Sequence, residues 1–205
     1  ITIVDTAAGL SAQALTAPIG SGFFGSSVTA LDNGNIVVTD PTYSAAGKTN
    51  IGAVYLFDGG NGAVISTLTG SNTNDFIGNT YVDTSYNAYT NGITILSNGN
   101  YVIASPYWNS ATGAVTWASK ATGVTGIVSS ANSLVGSTSG DQVGGDTTYG
   151  TNRITPLANG NYVVGSANWQ NKGAATWVNG ATGQTSDGQN IISSVNSLVG
   201  STNGD

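Results

Sequence analysis

The chain contains no cysteine, no methionine and no histidine. Without cysteine, no disulfide framework and no thiolate metal site can form. Without histidine or cysteine, the commonest general base and the thiol nucleophile are both missing, which leaves catalysis with little support. A carboxylate pair of the glycosidase kind could be built from aspartate. Yet no Asp stands in a distinctive motif, and the most regular ones recur. Glutamate is also absent: all ten acidic residues are Asp, a residue of turns and caps more than of helices. Only four residues are basic (Lys48, Lys120, Arg153, Lys172), and the net charge is −6. That balance argues against nucleic acid, whose phosphates demand clustered Lys and Arg. No apolar run approaches the roughly 20 residues of a membrane helix, and the chain opens on strand-like Ile1-Thr2-Ile3-Val4 instead of a signal peptide. Abundant Gly, Ser, Thr and Asn with little charge and no Cys fits a secreted bacterial surface protein.

What the chain does contain, it contains three times. Asn33-Gly34-Asn35, Asn98-Gly99-Asn100 and Asn159-Gly160-Asn161 recur at spacings of 65 and 61 residues. Each precedes an apolar run: Ile36-Val37-Val38, Tyr101-Val102-Ile103 and Tyr162-Val163-Val164. A Gly-Ala pair follows (Gly52-Ala53, Gly113-Ala114, Gly173-Ala174), and then a closing Leu-x-Gly at Leu68, Leu134 and Leu198. A period of this length marks stacked or radially arranged units.

The third repeat reads as four strands. Arg153 to Leu157 alternates apolar and polar residues, and Asn159-Gly160 predicts a tight hairpin in which both residues tolerate positive φ. Tyr162 to Ser166 returns, Gly173 to Val178 is the third strand, and Ile191 through Val199 supplies the fourth. Hairpin-linked antiparallel strands at this period predict an all-β fold of β-propeller-type blades, about three and a half of them, with a β-solenoid as the other option. The single repeat domain divides into a half blade at 1–14, blades at 15–70 and 71–136, and a blade plus the start of the next at 137–205.

The phrase Phe24-Gly25-Ser26-Ser27-Val28-Thr29-Ala30-Leu31, with Asn33-Gly34-Asn35-Ile36-Val37-Val38 and Gly52-Ala53-Val54-Tyr55-Leu56-Phe57, resembles the FG-GAP repeat of integrin-type propellers. Asn100-Tyr101-Val102-Ile103-Ala104-Ser105-Pro106-Tyr107-Trp108 and Ser130-Ala131-Asn132-Ser133-Leu134-Val135-Gly136 look like repeats of very long bacterial surface and adhesin-like proteins. The resemblance spans nearly the whole chain from about residue 15. It implies a repeat architecture and says little about function. FG-GAP blades often carry an Asp-rich calcium loop beside the hairpin. Here Leu31-Asp32-Asn33-Gly34-Asn35 holds that place, and Ser97 and Ala158 replace Asp32 later, so the resemblance carries no calcium loop over.

Three groups of residues are candidate sites. Trp108 matches Trp169, with Tyr43 in the first repeat; Trp117 matches Trp177, with Tyr55 there. They form either a carbohydrate platform or packing between blades. Asp75 and Asp141, with Asp205, each follow the repeat's Leu by seven residues. They could bind calcium, a hard cation that takes carboxylate and carbonyl oxygens, or cap Asx-turns. Tyr81, Tyr86, Tyr89 and Tyr149 lie in the two links that are longer than the first, where variable loops on a rigid scaffold carry interactions.

The function expected is a non-enzymatic structural or adhesive module of an extracellular bacterial surface protein or filament, with no cofactor. Its partners would be other copies of the chain or further repeats, and surface glycans are possible ligands. A carbohydrate-binding or carbohydrate-acting propeller is the alternative. Exposed strand edges, Ile1 and Ile3 among them, are expected to join copies.

Overall fold

A computed structural model describes residues 2–3, 13–83 and 88–204. It is built of small β-sheets, with no helix beyond two short turns among the described residues. β1 (Thr2–Ile3) pairs antiparallel with β2 (Gln13–Ala14). The first full sheet comprises β3 (Ser27–Ala30), β4 (Ile36–Asp40), β5 (Ala53–Phe57) and β6 (Val64–Thr69), each antiparallel to the next. A hairpin of β7 (Asn79–Asp83) and β8 (Ala88–Asn91) precedes the second sheet. That sheet contains β9 (Ile93–Ile95), β10 (Tyr101–Ser105) and β11 (Ala114–Ala118). Its next segment, β12 (Gly126–Ile127), leaves to pair elsewhere, and β13 (Leu134–Val135) closes it. A second small hairpin, β14 (Gly145–Asp146) with β15 (Thr151–Asn152), leads into β16 (Ile154–Pro156), β17 (Tyr162–Ser166), β18 (Ala174–Val178) and β19 (Ser197–Val199), the third sheet.

Three four-stranded antiparallel meanders are therefore present, as the repeats predict. Ring closure, which a propeller requires, is not found among the described residues. The extra length of the second and third links is used by the two small hairpins.

The central strands explain why the sheets stack. All five residues of β4, of β5 and of β10 are buried. Alternate side chains of a strand point to opposite faces, so both faces of these sheets are covered. Val37, Val54, Leu56 and Leu68 of the first sheet join Tyr101, Ile103, Ala114 and Ala118 of the second in one core. Val102, Ala104, Val115 and Leu134 on the opposite face of the second sheet meet Tyr162, Val164 and Val178 of the third. Burial pushes the Tyr101 and Tyr162 phenols above their ordinary pKa.

Several details differ from the sequence reading. At the Asn-Gly hairpins only the glycine has positive φ: Gly34 at 87°, Gly99 at 84° and Gly160 at 87°. Gly34 N donates to Leu31 O, and Leu31 N to Asn35 O. The turn is thus a three-residue type with a left-handed glycine bulge, not a two-residue one. The asparagine keeps an ordinary φ because this turn places only its last residue, the glycine, in the left-handed region. Strand pairing also shifts one match: Val37 faces Leu56, Val102 faces Trp117 and Val163 faces Trp177. Trp117 and Trp177 therefore correspond to Leu56, whereas Tyr55 corresponds to Thr116. Finally, only Ser197–Val199 forms the fourth strand of the third sheet. Ile191 instead bridges in parallel to Val135 of the second sheet, because Ile192 must enter the core shared with that sheet.

The two tryptophans occupy the same place but different surroundings. Trp117 is half-buried against the third sheet, whereas Trp177 is 41% exposed. Of the two options, packing between blades thus fits Trp117, which lies partly buried against the shared core, and does not fit Trp177. Trp117→Ala should cost about 3 kcal/mol, the low end for a large buried aromatic. Trp177→Ala should stay within about 0.5 kcal/mol, as for surface positions. Urea unfolding of the two variants measures both; equal losses would contradict this stacking order.

Candidate functional site at the repeat junction

The recurring polar residues converge where one repeat meets the next, and the first junction sets the pattern. Asn33 and Asn35 of the first repeat each donate through Nδ2 to the Lys120 carbonyl of the second, both at 2.9 Å. Asn98 and Asn100 of the second repeat donate in the same way to the Gly180 carbonyl of the third, at 2.9 and 3.2 Å. The accepting residue is fixed by its own repeat. Asn100 Oδ1 accepts from Lys120 N and Asn161 Oδ1 from Gly180 N. The first two Asn-Gly-Asn motifs are thus clasps as well as turns. In all three motifs the first asparagine also accepts from the backbone N–H two residues on, as in Asn33 Oδ1 with Asn35 N.

Trp117 adds a third donor at the second junction: its Nε1 reaches Gly180 O at 2.8 Å. At the first junction Leu56 stands in its place, and a salt bridge from Lys120 Nζ to Asp32 at 2.9 Å supplements the clasp. Ser97, the counterpart of Asp32, instead donates to Leu157 O and Ala158 O.

The link aspartates form the second contact. Asp75 Oδ2 accepts from Ser71 N and Asn72 N, and Oδ1 accepts from Asn109 N of the next repeat. Asp141 Oδ2 accepts from Ser137 N and Thr138 N, while Oδ1 accepts from Gln170 N. Both carboxylates are nearly inaccessible. Asn109 and Gln170 have φ of 50° and 47°, a left-handed conformation that costs a non-glycine residue about 1–2 kcal/mol. A charge-assisted acceptor offsets that cost. The Asx-turn reading of Asp75 and Asp141 thus gains a role in linking repeats. Asp205, their counterpart, lies outside the described residues. No cluster of three potential metal ligands occurs among the described residues.

Two further contacts recur. β12 adds in parallel to β6 of the preceding sheet, pairing Gly126 with Leu68 and Ile127 with Thr69. Val135 N donates to Asn190 O and Ile192 N to Val135 O at the next junction. On the opposite edge, Asn91 Nδ2 donates to Thr29 Oγ1 at 3.4 Å, and Asn152 Nδ2 to Thr94 Oγ1 at 3.0 Å. None of these pairings could be read from one repeat, although the recurrence of Thr29, Thr94 and Thr155 two residues before each Leu was a usable signal.

The other candidate residues divide. Trp108 and Trp169 turn inward against the two shared cores, and Tyr43 packs edge-on to Tyr55. Tyr81 is half-buried beside the second small hairpin, where Thr80 Oγ1 donates to Gly150 O at 3.1 Å. Tyr89 lies against Phe23, ring centroids 4.9 Å apart. Tyr149 is 80% exposed. Tyr86 and Ile1 lie outside the described residues. Ile3 is placed as a strand residue of β1, opposite Gln13.

Burial alone would raise the Asp141 pKa. Hydrogen bonds from Gln170, Thr138 and Ser137 outweigh it and hold the carboxyl below its ordinary value. A group depressed in the folded state contributes stability above its unfolded pKa, about 3.9, and loses it as pH falls through the folded value. No side chain of the chain ordinarily titrates between about pH 5 and 8, since histidine is absent. The melting temperature should be flat across that window and fall in acid. Asp141→Asn should lower the plateau and make the acid fall shallower. Melting curves recorded against pH test this, and a midpoint step near pH 6.5 would contradict it.

No curated protein matches the chain. The match found is to a family model described as a repeat of unknown function, DUF5650, and nothing in it points to the FG-GAP type. The model fits three segments, and the first two run from the hairpin through Asp75 and Asp141, so that each spans one clasp and one link. With residues 30–80, 95–145 and 156–205 matched, the chain belongs to the DUF5650 repeat family.

Proposed function

We propose that the chain is a non-enzymatic structural module of an extracellular bacterial surface protein, built from propeller-type blades whose task is to hold successive repeats in register. The observation that carries this reading is the reuse of one bond set at both junctions. Carbonyl clasp, aspartate bridge, parallel edge pairing and Asn–Thr contact each occur twice. A side chain kept in every repeat for a junction serves the array. The recurring aspartates and asparagines are spent on turns and neighbouring backbone, where they rigidify the stack. Low charge and the absence of thiols suit an exposed, oxidising setting. Blade-like meanders support the propeller-type description, and the FG-GAP-like and adhesin-like phrases support a surface location.

One observation favours the carbohydrate alternative: Trp177 is exposed on an apolar sheet face, where a sugar ring could stack. The two readings separate in one set of assays. A structural module should show no turnover of chromogenic glycosides and no saturable binding on a glycan array. It should also resist added protease as one folded unit. Hydrolysis, or saturable glycan binding abolished by Trp177→Ala, would overturn the structural reading.

A further inference from the structure

The third sheet displays an unpartnered copy of the surface that its two predecessors bury. The clearest measure is the closing leucine: Leu68 is 0% exposed, Leu134 3% and Leu198 82%. Trp177 and Val195 share this open face with Leu198, and together they line a shallow depression of about 430 Å³ with Val163 and Ala175.

The polar half of the junction is present too. The Nδ2 groups of Asn159 and Asn161 occupy the positions from which Asn98 and Asn100 grip Gly180 O. Trp177 Nε1 corresponds to Trp117 Nε1, the third donor to that carbonyl. Thr155 stands where Thr94 receives Asn152. Val199 stands where Val135 pairs in parallel with Ile191.

We propose that this face is the acceptor for a further repeat of the same type, continuous with the third. The incoming sheet would present an apolar face like that of Tyr162 and Val164, and a backbone carbonyl at the position of Lys120 and Gly180. The junction between the second and third repeats is the template. A second copy of the chain fits less well. Its first sheet would have to dock through Ile36, Val38, Tyr55 and Phe57, which are already buried with Leu15, Phe24 and Tyr43. The proposal rests on the reading of the chain as a stacking module and names the partner.

The test uses the full chain and a version extended after Asp205 by a second copy of residues 142–205 that carries Trp177→Phe within the appended copy, which keeps the repeat phase and leaves the original Trp177 as the one to be read. In the extended chain Trp177 should become shielded from acrylamide quenching, as Trp117 already is. Tryptophan emission should shift to the blue by comparison with the parent. Trp177→Ala should lower the melting temperature by on the order of 10 °C in the extended chain, but hardly at all in the parent. The double variant Asn159→Ala, Asn161→Ala, which leaves the apolar face intact, should lower the melting temperature of the extended chain by more than that of the parent, where it removes only the bonds to Asn161 N and Gly180 N.

Trp177 remaining quenchable in a folded extended chain would overturn the proposal while leaving the structural reading in place. So would dimerisation of the parent through this face, seen as a concentration-dependent mass that Trp177→Ala abolishes. Saturable glycan binding at Trp177 in the parent chain would overturn both.

Discussion

The structure depends on apolar stacking of sheets that are buried on both faces. An antiparallel sheet commonly keeps one face in water and alternates polar with apolar residues. Here β4, β5 and β10 are buried at every position, so a single repeat would leave one complete apolar surface exposed. Fully burying a Val, Leu or Phe side chain contributes about 1.5–3 kcal/mol, and several do so at each junction. The repeats are therefore not autonomous units tied together. Each completes its core only against a neighbour, the behaviour expected of quasi-one-dimensional repeat proteins.

Apolar stacking is non-directional, and the polar contacts supply what it lacks. The clasp places two amides on one carbonyl, so a sliding error of a few ångströms would break both bonds. The aspartate bridge anchors the neighbouring loop by a buried carboxylate that would be costly to leave unpaired. Parallel edge pairing and the Asn–Thr contact act on opposite edges of the same junction and oppose twisting. This division explains why the chain is rich in Asn, takes its acidic residues as Asp, and is poor in long charged side chains. Short amides and carboxylates satisfy backbone groups at close range, whereas Lys and Arg would lose more conformational entropy when fixed.

Much of this was legible in the sequence. The three meanders were visible from the hairpins, the Gly-Ala pairs and the closing leucines, because turn chemistry and alternation are local signals. The inward position of Trp108 and Trp169 was one of two readings of their recurrence, which did not decide it, since Trp177 recurs with Trp117 and is exposed. The side-chain role of Asn33 and Asn98 was not legible, since a hairpin already accounts for Asn-Gly and conceals a second use. The pairing of Trp117 with Leu56 in place of Tyr55 was misjudged by one residue. In a strand, that shift exchanges the faces of the sheet.

What the sequence determined by itself was therefore the unit: its strands, its turns and the positions of its recurring residues, all set by interactions over a few residues. Only the tertiary structure decided how units meet. Asn98 finds Gly180 and Asp141 finds Gln170 across wide separations in the chain, and Ile191 leaves its own sheet to edge the preceding one. The same Leu-Val-Gly phrase is buried at Leu134 and open at Leu198. Its sequence is identical in both repeats, and only the presence of a neighbouring sheet distinguishes core from surface.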